Sequence, residues 1–88
     1  MWQVFLTRQA VKDVELLKQA GLSGKAKALV ELLKEDPFGN PPSYEKLIGD
    51  LKGCYSRRIN RQHRLVYTVD TDSRTVKVLS MWSHYESL

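Results

Sequence analysis

Residues 53–67 read Gly-Cys-Tyr-Ser-Arg-Arg-Ile-Asn-Arg-Gln-His-Arg-Leu-Val-Tyr, two strand-like runs parted by a polar Asn60-Arg61-Gln62 step. No other stretch constrains the chain as strongly, because side chains along a strand alternate between two faces. A hairpin closed through Asn60-Arg61-Gln62 sets Ile59 opposite His63, Arg58 opposite Arg64 and Arg57 opposite Leu65. Tyr55, Ile59, Leu65, Tyr67 and Val69 then share one face, and Ser56, Arg58, Arg64, Val66 and Thr68 share the other. A slip of one residue would carry every apolar side chain to solvent, so the pattern selects this register. It also sets Arg58 against Arg64, a like-charge pair that costs a few tenths to about 1 kcal/mol. An anion bound between them relieves that cost.

The charge distribution points the same way. Residues 1–51 hold seven Lys+Arg and seven Asp+Glu, whereas residues 52–88 hold seven and three, so the whole formal charge of +4 belongs to the second part. Lys52, Arg57, Arg58, Arg61 and Arg64 fall together with no acidic residue among them. Such a cluster raises the local concentration of phosphate-bearing partners, and with a pI near 9.4 it favours nucleic acid over a membrane. A basic surface kept for solubility is the plainer alternative.

Eighty-eight residues suit a single domain, residues 1–88, with a small core. No apolar run approaches the ~18 residues of a spanning helix, and residues 1–6 are too short for the apolar part of a secretory leader. The single cysteine, Cys54, cannot form an internal disulfide and lacks companions for a metal site, which suits a reducing cytoplasm. It reads as a small buried residue at a strand start.

Residues 2–6 are aromatic and branched, the pattern of a strand buried on both faces. Thr7 is placed to cap a helix over 8–20, with Val11, Val14 and Leu17 as its stripe, Ala10 beside them and Gly21 as its stop. Ser23 begins a second helix, with Ala26, Leu29, Val30 and Leu33 inward, that ends at Glu35 or Asp36 ahead of Pro37. Only Gly21 and Leu22 separate the two, which implies an antiparallel helical hairpin laid on one face of a sheet. Residues 37–53, rich in Pro, Gly, Asn and Ser, read as an ordered loop anchored by Phe38, Leu47 and Leu51. Strands are expected at 54–60, 64–69 and 75–82, with turns at 60–62 and 70–73. The fold class is therefore α+β: an N-terminal strand, a helical hairpin and a three-stranded antiparallel meander.

Pairing Val69 with Thr75 would bring Ser80, Trp82 and His84 to the face of Arg58 and Arg64. Two guanidinium groups can hold a phosphate and the charge developing on it, an imidazole can transfer a proton, and Tyr85 can stack on a base. Glu45, beside the apolar anchor Leu47 and just ahead of the basic strand, is the candidate proton acceptor. Plainer readings stand beside these: solvated arginines, an ion pair for Glu45, and a tail at His84-Tyr85. His63, on the apolar parity, reads as a structural residue flanking the turn, and Trp2 and Trp82 as core or rim.

Pro37-Phe38, the Glu45-x-Leu47 step, Gly53-x-Tyr55-Ser56-Arg57-Arg58-Ile59, His63-Arg64-Leu65-Val66-Tyr67 and the closing His84-Tyr85 resemble the Txe/YoeB group of RelE-type bacterial toxins. The likeness covers essentially the whole chain in length and element order, and its specific part runs over residues 37–85. It implies a RelE/YoeB-like, microbial-ribonuclease-type fold and a ribosome-dependent endoribonuclease that cuts messenger RNA in the ribosomal A site. The RNA 2′-hydroxyl would attack the adjacent phosphate and leave a 2′,3′-cyclic phosphate, with no metal or cofactor. By the same resemblance Glu45 is the general base, Arg64 the transition-state arginine, Arg58 the phosphate-binding arginine and His84 the general acid. Tyr85 positions the substrate, with Arg57 as a further substrate-binding group. Related toxins often carry a basic residue directly after the Glu-x-Leu step; Ile48 stands there in this chain, so that role is either lost or shifted to Lys46, the candidate substrate-binding cation.

The implied partners are a cognate antitoxin, the ribosome with its messenger RNA, and operator DNA bound by the toxin-antitoxin complex, with no membrane. An acidic, partly disordered peptide folding across the basic cleft is the physical form such an antitoxin would take. Two other classes of function remain open at this point. One is a non-catalytic toxin of the same fold acting on DNA gyrase, which would not need Glu45, Arg64 and His84 as a set. The other is a plain nucleic-acid-binding module, in which charge matters and proton transfer does not.

Overall fold

Thr7 joins strand β1 (Gln3–Leu6) to helix α1 (Arg8–Gln19). In the computed structural model, which describes residues 1–82, its hydroxyl oxygen accepts the Ala10 N–H at 3.2 Å and donates to the Leu79 carbonyl at 2.9 Å. One hydroxyl thus satisfies an N–H of the first helical turn and ties the helix to the sheet. Gly21, at φ 74°, closes the helix in the left-handed region that a Cβ disfavours. Helix α2 (Ser23–Glu35) follows at once.

The core lies between the two helices and one face of the sheet. Ala10, Leu17, Ala26, Leu29 and Leu33 from the helices meet Ile59, Leu65, Tyr67, Val76, Val78 and Met81. The stripe of α1 differs from its expected form. Val11 is 54% exposed, and Asp13 is buried instead, because the inward face of this helix runs through positions 10, 13, 14 and 17.

Among the described residues five strands form the sheet in the order β1-β5-β4-β3-β2, with β2 at Glu45–Lys46, β3 at Cys54–Arg58, β4 at Arg64–Asp70 and β5 at Thr75–Ser80. The meander is antiparallel, and β1 adds to β5 in parallel. That placement corrects the doubly buried reading of residues 2–6: β1 is an edge strand, and Phe5 and Leu6 are exposed. The loop at 37–53 contains a strand that sequence pattern does not reveal. Two residues, Glu45 and Lys46, pair with Ser56 and Tyr55 before a 3-10 turn at Gly49–Leu51.

The first hairpin has the expected register, with Arg58 opposite Arg64 and Arg57 opposite Leu65. The second does not. Val69 pairs with Val76 and Asp70 with Thr75, and a bulge at Val66/Tyr67 shifts the ladder again so that Val66 faces Ser80. The expected pairing would have placed Val76 and Val78 on the arginine face, whereas both are fully buried in the core. The bulge restores Ser80 to the other face and leaves Leu79 to pack beside Leu47, Cys54 and Val66 in a small second cluster there. Trp82 does not join the arginine face: it stacks on His63, centroids 4.0 Å apart and planes at 17°, against the main core.

Candidate active site

Glu45 on β2 is opposite Ser56 on β3, and Arg58 on β3 is opposite Arg64 on β4. Alternation along the strands therefore puts all four side chains on the face turned away from the helices. With Pro42 and Ser43 they line an open cleft of about 360 Å³.

Arg64 organises it. Its Nη2 donates to Glu45 Oε1 at 3.2 Å and its Nη1 donates to Ser56 Oγ at 3.1 Å. The Arg64 side chain is nearly buried at 11% exposure while that of Glu45 remains 54% exposed. The guanidinium is thus held by the sheet, and the carboxylate it meets stays open to solvent. Arg58 is exposed across the ladder from Arg64. A mobile anion entering the cleft meets two guanidinium groups and a carboxylate within reach of a proton beside it.

The structure brings together Glu45, Arg58 and Arg64. It places two other candidates elsewhere. Lys46, next along β2, lines a separate hollow with Ile48 and Lys52. Arg57, expected at the substrate, is on the core parity of β3 and has no exposed surface. Its guanidinium donates to the carbonyls of Pro37, Gly39 and Pro42 and to the Tyr67 hydroxyl, beneath the loop and out of reach of the cleft. His84 and Tyr85 lie outside the described residues.

Ser56 is a member of the site that residue chemistry alone leaves unmarked; its only signal is its parity with Arg58. Pro42 and Ser43 carry no signal at all, since loop positions have no period. Asp13 is another unexpected polar group: buried on α1, it accepts the Met81 N–H at 2.8 Å and a Gln9 amide hydrogen at 2.9 Å. It thereby ties the end of β5 to the helix. Two titrating groups on β3 and β4, outside the cleft, are displaced by burial: the Cys54 thiol is pushed up, and so is the Tyr67 phenol, the latter opposed by the nearby Arg57 charge.

Among the described residues a mixed five-stranded sheet is covered on one face by a helical hairpin, and bacterial toxins share this fold. The chain superposes on a YoeB/ParE toxin from Agrobacterium tumefaciens with a TM-score of 0.84 and 30% identity, over 94% of this chain and 99% of that one. It superposes on the YoeB-YefM complex from Staphylococcus aureus with a TM-score of 0.79 and 33% identity, over 97% and 99%. A toxin YoeB from Synechocystis is 36% identical over 85 residues, which are 97% of this chain and 88% of that protein. The model of the YoeB-like toxins of bacterial type II toxin-antitoxin systems matches residues 6–85, and the chain belongs to that family.

Proposed function

We propose that this toxin is a ribosome-dependent messenger RNA endoribonuclease held in check by a cognate antitoxin. The observation that carries the reading is the convergence of Glu45, Arg58 and Arg64 in one cleft on the face of the sheet turned away from the helices. RNA cleavage by its own 2′-hydroxyl needs three things at one phosphate: a group to take the hydroxyl proton, charge to meet the extra negative charge on the pentacovalent phosphorus, and a proton for the departing 5′-oxygen. Glu45 is the first. Arg58 and Arg64 are the second. His84 supplies the third and Tyr85 positions the base. The products are a 2′,3′-cyclic phosphate and a free 5′-hydroxyl, and none of these steps calls on a metal.

The reaction takes place in the A site, where the ribosome presents the message, and therefore in the cytoplasm. No helix among the described residues is long and apolar enough to cross a membrane. The antitoxin partner is an acidic, partly disordered segment that covers the cleft, and the two together bind operator DNA. The S. aureus neighbour is a complex of YoeB with YefM, which supports a protein partner for this chain.

The test is addition of purified protein to translating ribosomes programmed with a defined message, with the cleaved ends mapped. Cleavage in the ribosome-bound codon and relief of growth arrest by Arg64→Ala are expected. His84→Gln should preserve ribosome binding and slow cleavage. Intact message together with undiminished toxicity of Arg64→Ala overturns the proposal, and double-strand breaks trapped on plasmid by gyrase would replace it with a topoisomerase target.

A further inference from the structure

The two consecutive arginines of β3 face opposite ways, and only Arg58 enters the cleft. Arg57 occupies a position that the alternation reserves for an apolar side chain, and none of its surface is exposed. Burying a guanidinium is costly unless its donors are met, and an apolar side chain of similar volume generally serves a core as well. Its surroundings explain what the charge does there. Nη2 donates to the Pro37 carbonyl at 3.0 Å and the Gly39 carbonyl at 2.9 Å, Nη1 donates to the Pro42 carbonyl, and Nε donates to Tyr67 Oη at 3.2 Å. The guanidinium lies 5.1 Å from the ring centroid of Tyr44 and 6.0 Å from that of Tyr67, positions in which the ring faces attract a cation. Tyr67 Oη in turn donates to Pro37 O at 2.9 Å.

Three carbonyls of one loop therefore converge on one side chain of the central sheet. That loop, between the end of α2 and β2, has no strand or helix of its own. It ends at Glu45, and Pro42, whose carbonyl Arg57 holds, is itself a wall of the cleft. Carbonyl dipoles aimed at one planar fork define a loop shape far more narrowly than apolar contact would.

We propose that Arg57 is a positioning residue for the reaction: it never touches RNA, and it sets the loop of residues 37–44 so that Glu45 and the Pro42 wall stand at the right distance from Arg64. This rests on the nuclease reading for its catalytic consequence and on the geometry alone for its structural one.

The experiment has two arms. Amide exchange of the purified protein, wild type against Arg57→Met, reads the loop without any reference to activity. Exchange in residues 38–45 is expected to quicken by about tenfold or more while β4 and β5 keep their protection. Ribosome-programmed cleavage reads the consequence: kcat should fall by about 10²-fold, as displacement of a catalytic group by an ångström does, with KM changed less than about twofold. In a Glu45→Gln background the same substitution should then cost little, because the group it positions is already gone. Should Arg57→Met not fold, Tyr67→Phe, which removes one partner of the fork and one of Pro37, is expected to loosen the same loop. Unchanged loop exchange in a folded variant overturns the proposal. So does a kcat loss that adds in full to that of Glu45→Gln, or a rise in KM that steepens with salt, which would put Arg57 on the RNA. Absence of cleavage by the wild type defeats the nuclease reading alone, and the exchange arm still decides whether Arg57 holds the loop.

Discussion

Glu45 and Arg64 meet across a strand to which neither belongs. Glu45 is on β2, Arg64 on β4, and β3 runs between them; the arginine reaches over Ser56, donates to its hydroxyl on the way, and ends 3.2 Å from the carboxylate. A carboxylate and a guanidinium are thus coupled through a fork with fixed geometry, and the coupling depends on both arms.

Arg64→Lys keeps the charge and loses the fork, since one ammonium cannot reproduce a planar pair of donors aimed at Ser56 and Glu45. Single-turnover cleavage on programmed ribosomes should fall by about 10²–10³-fold, the usual loss on removing one preorganised donor. Glu45→Gln should fall by about 10²–10⁴-fold, as for a lost general base. Near-wild-type rates in either variant would remove that residue from the chemistry.

Arg58 offers a test in which stability and function move in opposite directions. It is exposed and stands across the ladder from Arg64, so Arg58→Ala lifts a like-charge repulsion of up to about 1 kcal/mol. Urea denaturation should show stability unchanged or slightly raised. Affinity for RNA should drop, and the slope of log K against log salt should shrink by about one, the signature of one lost phosphate contact. A clear loss of stability, or an unchanged salt slope, would place Arg58 outside the anion site.

Asp13 makes a structural prediction remote from the cleft. Asp13→Ala strands the buried Met81 N–H and should cost about 1.5–3 kcal/mol, the range for a hydrogen bond to a charged group. Asp13→Asn, which keeps an acceptor, should cost less. Equal losses for the two would mean that the packing of Asp13 matters and its acceptor does not.

What was legible in the sequence follows from where periodicity acts. The helical hairpin, the first β-hairpin and the facing of Arg58 and Arg64 all rest on strict alternation or a 3.6-residue stripe over many residues, and one slip would have exposed the core. The second hairpin escaped because its register is set at the turn, where Asp70 and not Val69 pairs with Thr75, and a bulge further along then adds one residue to β5; both are local events that alternation along each strand does not record. The strand at Glu45–Lys46 is too short to have a period. Arg57 was the most misleading residue: its type advertises surface and anion binding, yet its parity with Tyr55 and Ile59 already marked it as inward. Parity was the better guide there, since a buried arginine is stable wherever enough carbonyls gather round it. Asp13 hid in an apolar stripe for the converse reason: its carboxylate is met by donors, the Met81 N–H and the Gln9 amide.

Cys54 and Tyr67 predict how stability depends on alkaline pH. Burial holds the thiol above its ordinary 9.0 and the phenol above its ordinary 10.0, while the Arg57 charge pulls the phenol the other way. In both, the unfolded chain gives up its proton more readily than the folded one. Their stabilising effect is therefore complete below the ordinary values and is lost as pH rises towards the folded ones. The urea midpoint should stay level through neutral pH with respect to these groups and decline above about pH 9, where the cysteine of the unfolded chain ionises. Cys54→Ala should remove the earlier part of that decline, and Tyr67→Phe the later part, on a plateau already lowered by the loss of its hydrogen bonds. The same burial makes the native thiol slow to react with iodoacetamide at pH 8, with alkylation tracking unfolding as urea is added. Rapid alkylation of the folded protein, or an alkaline limb that Cys54→Ala leaves unchanged, would show that the thiol is not shielded where β3 begins.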